Sequence, residues 1–262
     1  MAVAAVSKPV ARAAPPVSTP LLQTVGLQRT FGGLQAVRSV DFRLDRGEIR
    51  AIIGPNGAGK TTLVGMICGR LSPTAGRVMY NGVDITRLQA HARVGLGIVY
   101  TFQIISIFRN LPVYENVALS ARRLLMRSPL DHFVLNQRAL ADHVDAVLDQ
   151  VGLHGAGAQT AGALPYGHQR LLEVAMALAS QPEVLALDEP TQGLAPDEIA
   201  NLVALIRTIS KGVTILLIEH NMQVVLDLSR RITVMDRGSI IAEGTPAEIE
   251  ANPDVQRVYL GG

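Results

Sequence analysis

Short, largely apolar runs punctuate the chain: Arg50-Ala51-Ile52-Ile53, Val184-Leu185-Ala186-Leu187 and Val213-Thr214-Ile215-Leu216-Leu217-Ile218. Runs of this length without polar alternation are the pattern of strands covered on both faces, as in a parallel sheet. Stretches with helical spacing lie between them, for example residues 199–209. The alternation predicts an α/β fold, a mostly parallel sheet with helices on its faces. Residues 21–48 read differently. There Val40-Asp41-Phe42-Arg43-Leu44 alternates apolar with polar, which predicts an N-terminal antiparallel β region. From about residue 104 to 179 the strand patterns vanish, while residues 140–151 and 169–178 carry helical spacing. This predicts a helical subdomain inserted into the α/β core, within one domain over 21–262. Residues 239–262 predict a final strand and a short helix. The sequence contains no internal repeat and no heptad run.

Composition sharpens this picture. Hydrophobic residues make up 48% and charged residues 18%, enough for a large core and against wholesale disorder. Aromatics are only 4% and Trp is absent, so aliphatic side chains must fill that core. Lys plus Arg number 24 against 22 Asp plus Glu, a balance too mild to indicate a nucleic-acid partner. The single cysteine, Cys68, excludes an intramolecular disulfide and a paired-cysteine zinc site, and reads as a small core side chain. No apolar run approaches the ~18 residues that span a bilayer, so any membrane role must come through partners. Residues 1–20 are rich in Ala, Val and Pro but carry Lys8 and Arg12 and four prolines. They read as a disordered tail rather than an export signal.

The chemistry begins at Gly54-Pro55-Asn56-Gly57-Ala58-Gly59-Lys60-Thr61, a match to G-x-x-x-x-G-K-[ST] between a predicted strand and a predicted helix. Chance gives roughly one such match per hundred chains of this length. Glycines let the backbone wrap closely, and the N–H groups then point inward as an anion nest at a helix N-terminus. Lys60 is placed to reach the β- and γ-phosphates, the Thr61 hydroxyl to ligate Mg²⁺, and Thr62 follows as a further nucleotide contact. By itself this loop does not separate a kinase from a GTPase or a motor.

A second site element is Val184-Leu185-Ala186-Leu187-Asp188-Glu189-Pro190, two carboxylates at the tip of an apolar strand. Ligands of open α/β sheets bind at the carboxyl ends of strands. Asp188 suits Mg²⁺, and Glu189 suits a base for the attacking water, which favours hydrolysis over mere binding.

With these elements in place the chain resembles the ABC ATPase family over nearly all of residues 21–262. The resemblance implies several further roles. Phe31, in Thr30-Phe31-Gly32-Gly33, would stack on adenine. Gln103, in Thr101-Phe102-Gln103, would touch Mg²⁺ and the attacking water and sense a membrane partner. Gly167, in Leu164-Pro165-Tyr166-Gly167-His168-Gln169-Arg170, would cap the ATP held by a second ATPase subunit. His220, after Glu219, would hold the γ-phosphate and the water. Asp197 and Glu198 read as an ordinary acidic helix start. The apolar stretch Ile104-Ile105-Ser106-Ile107-Phe108 is open between two roles, subdomain core and groove for a membrane subunit.

The signature departs from Leu-Ser-Gly-Gly-Gln at Pro165, Tyr166 and His168, and Ala195 stands where Asp is common. Pro165 lacks both a hydroxyl and an N–H. Leu-Pro-Tyr-Gly, the opening Phe31-Gly32-Gly33-Leu34, Ile218-Glu219-His220-Asn221-Met222 and the ending from Asn252-Pro253 are similar to the branched-chain amino acid importer group, in its LivG-type member. This implies an ATPase on the cytoplasmic face of the inner membrane, peripheral to transmembrane permease subunits. It would be paired with a second ATPase subunit and served indirectly by an external solute-binding protein, with ATP and Mg²⁺ as cofactors and no nucleic acid. The solute stays open among branched-chain amino acids, amides, urea and aromatic acids. A lipopolysaccharide-type exporter ATPase and a nearly inactive ATP switch, the latter suggested by Pro165 and Ala195, are the alternatives.

Overall fold

A computed structural model describes residues 19–125 and 137–260. The tail expected over residues 1–20 therefore falls, apart from Thr19 and Pro20, outside the described residues. Two sheets organise the rest. The first is antiparallel, in the order β2 (Leu34–Leu44), β1 (Leu22–Phe31), β4 (Ala75–Tyr80), β5 (Val83–Asp84). The second runs β10 (Ser239–Gly244), β9 (Arg231–Asp236), β3 (Ile49–Ile53), β8 (Thr214–Ile218), β7 (Val184–Asp188), β6 (Ile98–Thr101). All its pairings are parallel except the β9–β10 edge.

The apolar runs form strands because every residue of β3, β7 and β8 is buried. The strand period of two divides them between cores. Leu185, Leu187, Ile215 and Leu217 face one cluster, with α6 (Pro196–Ile209) and the helical region. Ala186, Leu216, Ile218 and Ile52 face another, with α1 (Lys60–Ile67) and the antiparallel sheet. Ala51 and Ile53 join a third under α7 (Met222–Leu228), α8 (Pro246–Glu250) and α9 (Pro253–Leu260).

The region expected to lack strands contains α3 (Val113–Leu125), α4 (Gln137–Gln150) and α5 (Tyr166–Ala179), packed through Val117, Ala121, Val144, Leu148 and Leu172. Four strands were not marked by the sequence pattern: β4, β5, β6 and β9. The end of the chain holds two short helices rather than one, because Thr245 and Pro246 start a capped helix that stops before a second start at Pro253. α2 (Ala90–Gly95) carries Arg93, whose buried guanidinium donates to the carbonyls of Met66 and Ile67 at the end of α1.

Candidate functional site

The parallel strands bring the site together at their carboxyl ends. The phosphate-binding pattern occupies the turn from β3 into α1. Gly54 has φ 149°, and a Cβ there would lie 2.1 Å from the Met235 carbonyl oxygen. Gly59 has φ 97°, and a Cβ there would lie 2.4 Å from the Ala36 oxygen. The loop is thus wedged between β9 and β2, and only glycine fits at either point. Gly57 is also left-handed, and Asn56 and Gly57 are exposed, whereas Ala58 is buried. Lys60 is buried and folds back on the loop, with Nζ donating to the Gly54 oxygen at 2.7 Å and the Pro55 oxygen at 3.0 Å. Burial lowers its pKa below 10.5, opposed by the attraction of Glu189 and Asp188. A bound polyphosphate would supply the negative charge that this ammonium lacks.

Asp188 ends β7 and is 1% exposed. Its Oδ2 accepts a short hydrogen bond from the Tyr100 hydroxyl, while Oδ1 is buried with no hydrogen-bond partner. Burial pushes its pKa up against the pull of the Tyr100 bond, Arg70 and Lys60. Thr61, Gln103 and Asp188 line one cleft of about 380 Å³, together with Arg70 and Tyr100. An orphaned carboxylate oxygen beside a hydroxyl and an amide is a hard-oxygen donor set, which fits Mg²⁺ completed by phosphate and water. Among the described residues no three His, Cys, Asp or Glu side chains cluster as a metal site.

Glu189 follows at φ 47°, a strained conformation for a non-glycine residue, pinned by its N–H to the Ile218 oxygen at 2.9 Å. Gln103 Nε2 donates to Glu189 Oε2 at 2.8 Å, and His220 Nδ1 stands 3.7 Å from Glu189 Oε1. Gln103, Glu189 and His220 therefore converge from three separate strand ends. Phe31 lies at the end of β1, 42% exposed, with the Arg29 guanidinium 4.4 Å from its ring centroid. One ring face is thus backed by a cation while the residue remains open to solvent. Thr62 is half-buried on α1.

Gly167 is not part of this grouping. It sits in the first turn of α5, where a Cβ would meet Glu198 of α6, and the cleft beside it is lined by residues of α5, α6 and Leu194. The stretch after Gln103 divides: Ile104 is 83% and Phe108 53% exposed, whereas Ile107 packs on the helical core. Ser106, Ile107 and Phe108 line a groove of about 270 Å³ with Met176 and Glu173.

Sequence reading missed Tyr100 and the structural role of Glu219. Glu219 is fully buried and accepts from Thr191 N–H at 3.0 Å, Thr191 Oγ1 at 2.6 Å, His220 N–H at 3.1 Å and Asn221 N–H at 3.3 Å. It fixes the turn after Glu189 to the turn bearing His220. A carboxylate directly after the apolar run Ile215–Ile218 was the available signal.

Comparison with known proteins gives a consistent result. A family model described as ABC transporter matches residues 37–192, and one described as branched-chain amino acid ATP-binding cassette transporter matches residues 239–262. The high-affinity branched-chain amino acid transport ATP-binding protein BraF of Pseudomonas aeruginosa is 38% identical over 253 residues, covering 94% of this chain and 99% of that protein. LivG of Escherichia coli, described in the same words, is 39% identical over 255 residues with the same coverage. Among solved structures, the ADP conformation of MJ1267, an ATP-binding cassette of an ABC transporter, superposes with a TM-score of 0.82 at 30% identity, covering 94% of this chain and all (100%) of that one.

Proposed function

This chain belongs to the ABC transporter family as an ATP-binding subunit, and we propose that it hydrolyses ATP to energise import of branched-chain amino acids or a related small solute. The observation that carries the proposal is the convergence of Lys60, Thr61, Gln103, Asp188, Glu189 and His220 at one end of the parallel sheet. The phosphate loop, from Gly54 to Thr62, holds the triphosphate, and Phe31 stacks on the base. Thr61, Asp188 and Gln103 hold Mg²⁺, which when bound offsets phosphate charge and orients the terminal phosphate. Glu189 takes the proton of the attacking water, and Gln103 and His220 fix the carboxylate and the water in line with the γ-phosphate.

The relatives' names supply the solute class. The apolar groove bordered by Phe108 and Met176 is suited to a helix of a permease subunit, with Ile104 exposed on the neighbouring surface. Gly167, in the first turn of α5, serves the nucleotide of a second ATPase subunit. The relatives' description as transport ATP-binding proteins supports a peripheral subunit on the cytoplasmic face; among the described residues no helix is long and apolar enough to cross a membrane. An external solute-binding protein would deliver the solute to the permease.

The test is Mg²⁺-dependent ATP hydrolysis by the purified chain beside a Glu189→Gln variant. Turnover in the wild type, with ATP binding but no turnover in the variant, is expected. Equal turnover in both would remove Glu189 from the reaction.

A further inference from the structure

A buried ion pair ties the helix that opens at the signature loop to the loop that carries Gln103. Arg170 and Glu173 stand one turn apart on α5, 1% and 4% exposed. Arg170 Nη1 donates to Glu173 Oε2 at 2.7 Å and to the Phe102 carbonyl oxygen at 2.9 Å. Its Nη2 donates to the Gln103 carbonyl oxygen at 2.9 Å. Glu173 Oε1 accepts from the backbone N–H of Phe102 at 3.2 Å and of Ser106 at 3.3 Å. Arg170 Nε is left buried without a partner.

The held backbone has no regular structure from Phe102 to Phe108, so its polar groups find no helix or sheet ladder. Two side chains of one helix supply the missing partners on both sides of Gln103, whose own side chain then extends to Glu189. A pair of apolar residues would pack here without desolvating two charges. What the ion pair adds is direction: it fixes this stretch of loop relative to α5. Glu173 also lines the groove with Met176 and Phe108, so whatever fills that groove abuts the clamp.

We propose that Arg170 and Glu173 are positioning residues for hydrolysis, clamping the Gln103 loop to the signature helix so that the two move as one piece and Gln103 stays on Glu189. This rests on the assignment of Gln103 and Glu189 to hydrolysis above.

The test uses the full-length chain with Arg170→Met and Glu173→Leu combined, which removes both charges and leaves no lone buried one. Hydrogen exchange is measured first. The Phe102 and Ser106 amides are expected to exchange about tenfold faster than in wild type, with β7 and α1 unchanged. Unchanged protection at both amides overturns the proposal. ATP hydrolysis is measured second. The expected result is a kcat lowered about tenfold, a KM for ATP within about twofold, and no further loss when the pair is added to Gln103→Ala. Multiplied losses in the Gln103→Ala background, or a raised KM with kcat untouched, overturn it. If β7 and α1 also lose protection, the single variant Glu173→Gln replaces the pair under the same criteria. Wild-type turnover judges the ATPase reading separately. Its absence with the permease and second ATPase subunits also present would refute that reading, while the exchange arm still decides whether the pair holds the loop.

Discussion

Replacing Glu219 by Gln changes two atoms' worth of chemistry at a position with 0% exposure, and the structure fixes what that must do. The carboxylate accepts four hydrogen bonds, two on each oxygen: the Thr191 N–H and hydroxyl on Oε1, the His220 and Asn221 N–H groups on Oε2. An amide offers one oxygen and one NH₂. With the oxygen toward Thr191, two backbone N–H groups face an NH₂. With the oxygen toward His220, the Thr191 N–H does, although its hydroxyl can turn to accept. The second orientation is the better one, and it still leaves a buried N–H unmatched and the remaining bonds without charge assistance. Leaving a buried donor unmatched costs about 1–3 kcal/mol, and charge-assisted bonds exceed neutral ones by about 1 kcal/mol, so the loss is about 2–4 kcal/mol. Unfolding entropy of about 2.1 cal/mol/K per residue over 262 residues is roughly 0.55 kcal/mol/K, which converts the loss to a melting point lower by about 4–7 °C. Calorimetry of the nucleotide-free chain measures this directly. Because the same bonds seat His220 and the turn after Glu189, kcat should fall further than nucleotide affinity. A melting point within about 1 °C of wild type would refute the accounting.

Three other outcomes follow from the same coordinates. Gly59→Ala places a methyl group 2.4 Å from the Ala36 oxygen at a φ of 97°, so nucleotide binding is expected to be lost in an equilibrium assay, with a lower melting point. Phe31→Ala removes an aromatic face worth about 0.5–1.5 kcal/mol, so ATP should bind roughly 2- to 13-fold more weakly in a fluorescent-analogue titration, with kcat little changed. Asp188→Asn separates stability from function. Burial raises the Asp188 pKa above its ordinary 3.8, so its stabilising contribution is present below 3.8 and is lost as pH rises through the raised value. The uncharged amide should therefore raise the nucleotide-free melting point by about 1–3 °C at neutral pH and give no gain below the ordinary carboxylate value, while Mg²⁺-dependent turnover is lost.

What the sequence disclosed and what it hid divide along the distance between partners. Strands β3, β7 and β8 were legible because burial on both faces writes itself as a largely apolar run without polar alternation, broken only by Arg50, Thr214 and Asp188. β6 escaped because it is only four residues long, and β4 because three of its six residues are exposed. The phosphate loop is local in the chain, so its spacing alone carries its chemistry. Gln103, His220 and Phe31 took their roles from resemblance, since nothing in their own neighbourhoods sets them apart from loop and core residues. Tyr100 has no local signal, and the Arg170–Glu173 pair, though one turn apart, gives none of its role. The partner of Tyr100 lies 88 residues away and the loop carbonyls held by Arg170 67–68 away, and only the parallel sheet and α5 bring them together.

The unusual signature also makes physical sense once packed. Pro165 precedes the first turn of α5, where a missing N–H costs no helical bond, and its carbonyl still accepts from the Gln169 N–H at 3.0 Å. The N–H groups of the first turn have no place in the helical ladder, whichever side chains they carry. Tyr166 takes up different work. Its ring lies against Gly193, where a Cβ would sit 3.1 Å from Cε1, and its hydroxyl donates to the Gln192 oxygen at 3.4 Å. Nearby, Glu198 Oε2 accepts from the Ala195 N–H at 2.9 Å while its other oxygen fills the space beside Gly167. Glu198 thus satisfies the backbone N–H of Ala195, while the N–H groups of the first turn of α6 have no side-chain cap at Ala195, and Gly167 leaves room for the Glu198 carboxylate. Tyr166 and Glu198 thus join the signature turn to the loop after β7 and the start of α6 in one contact set. The fit between these two segments is set by Tyr166 and Glu198, while the first-turn N–H groups of α5 stay outside the helical ladder.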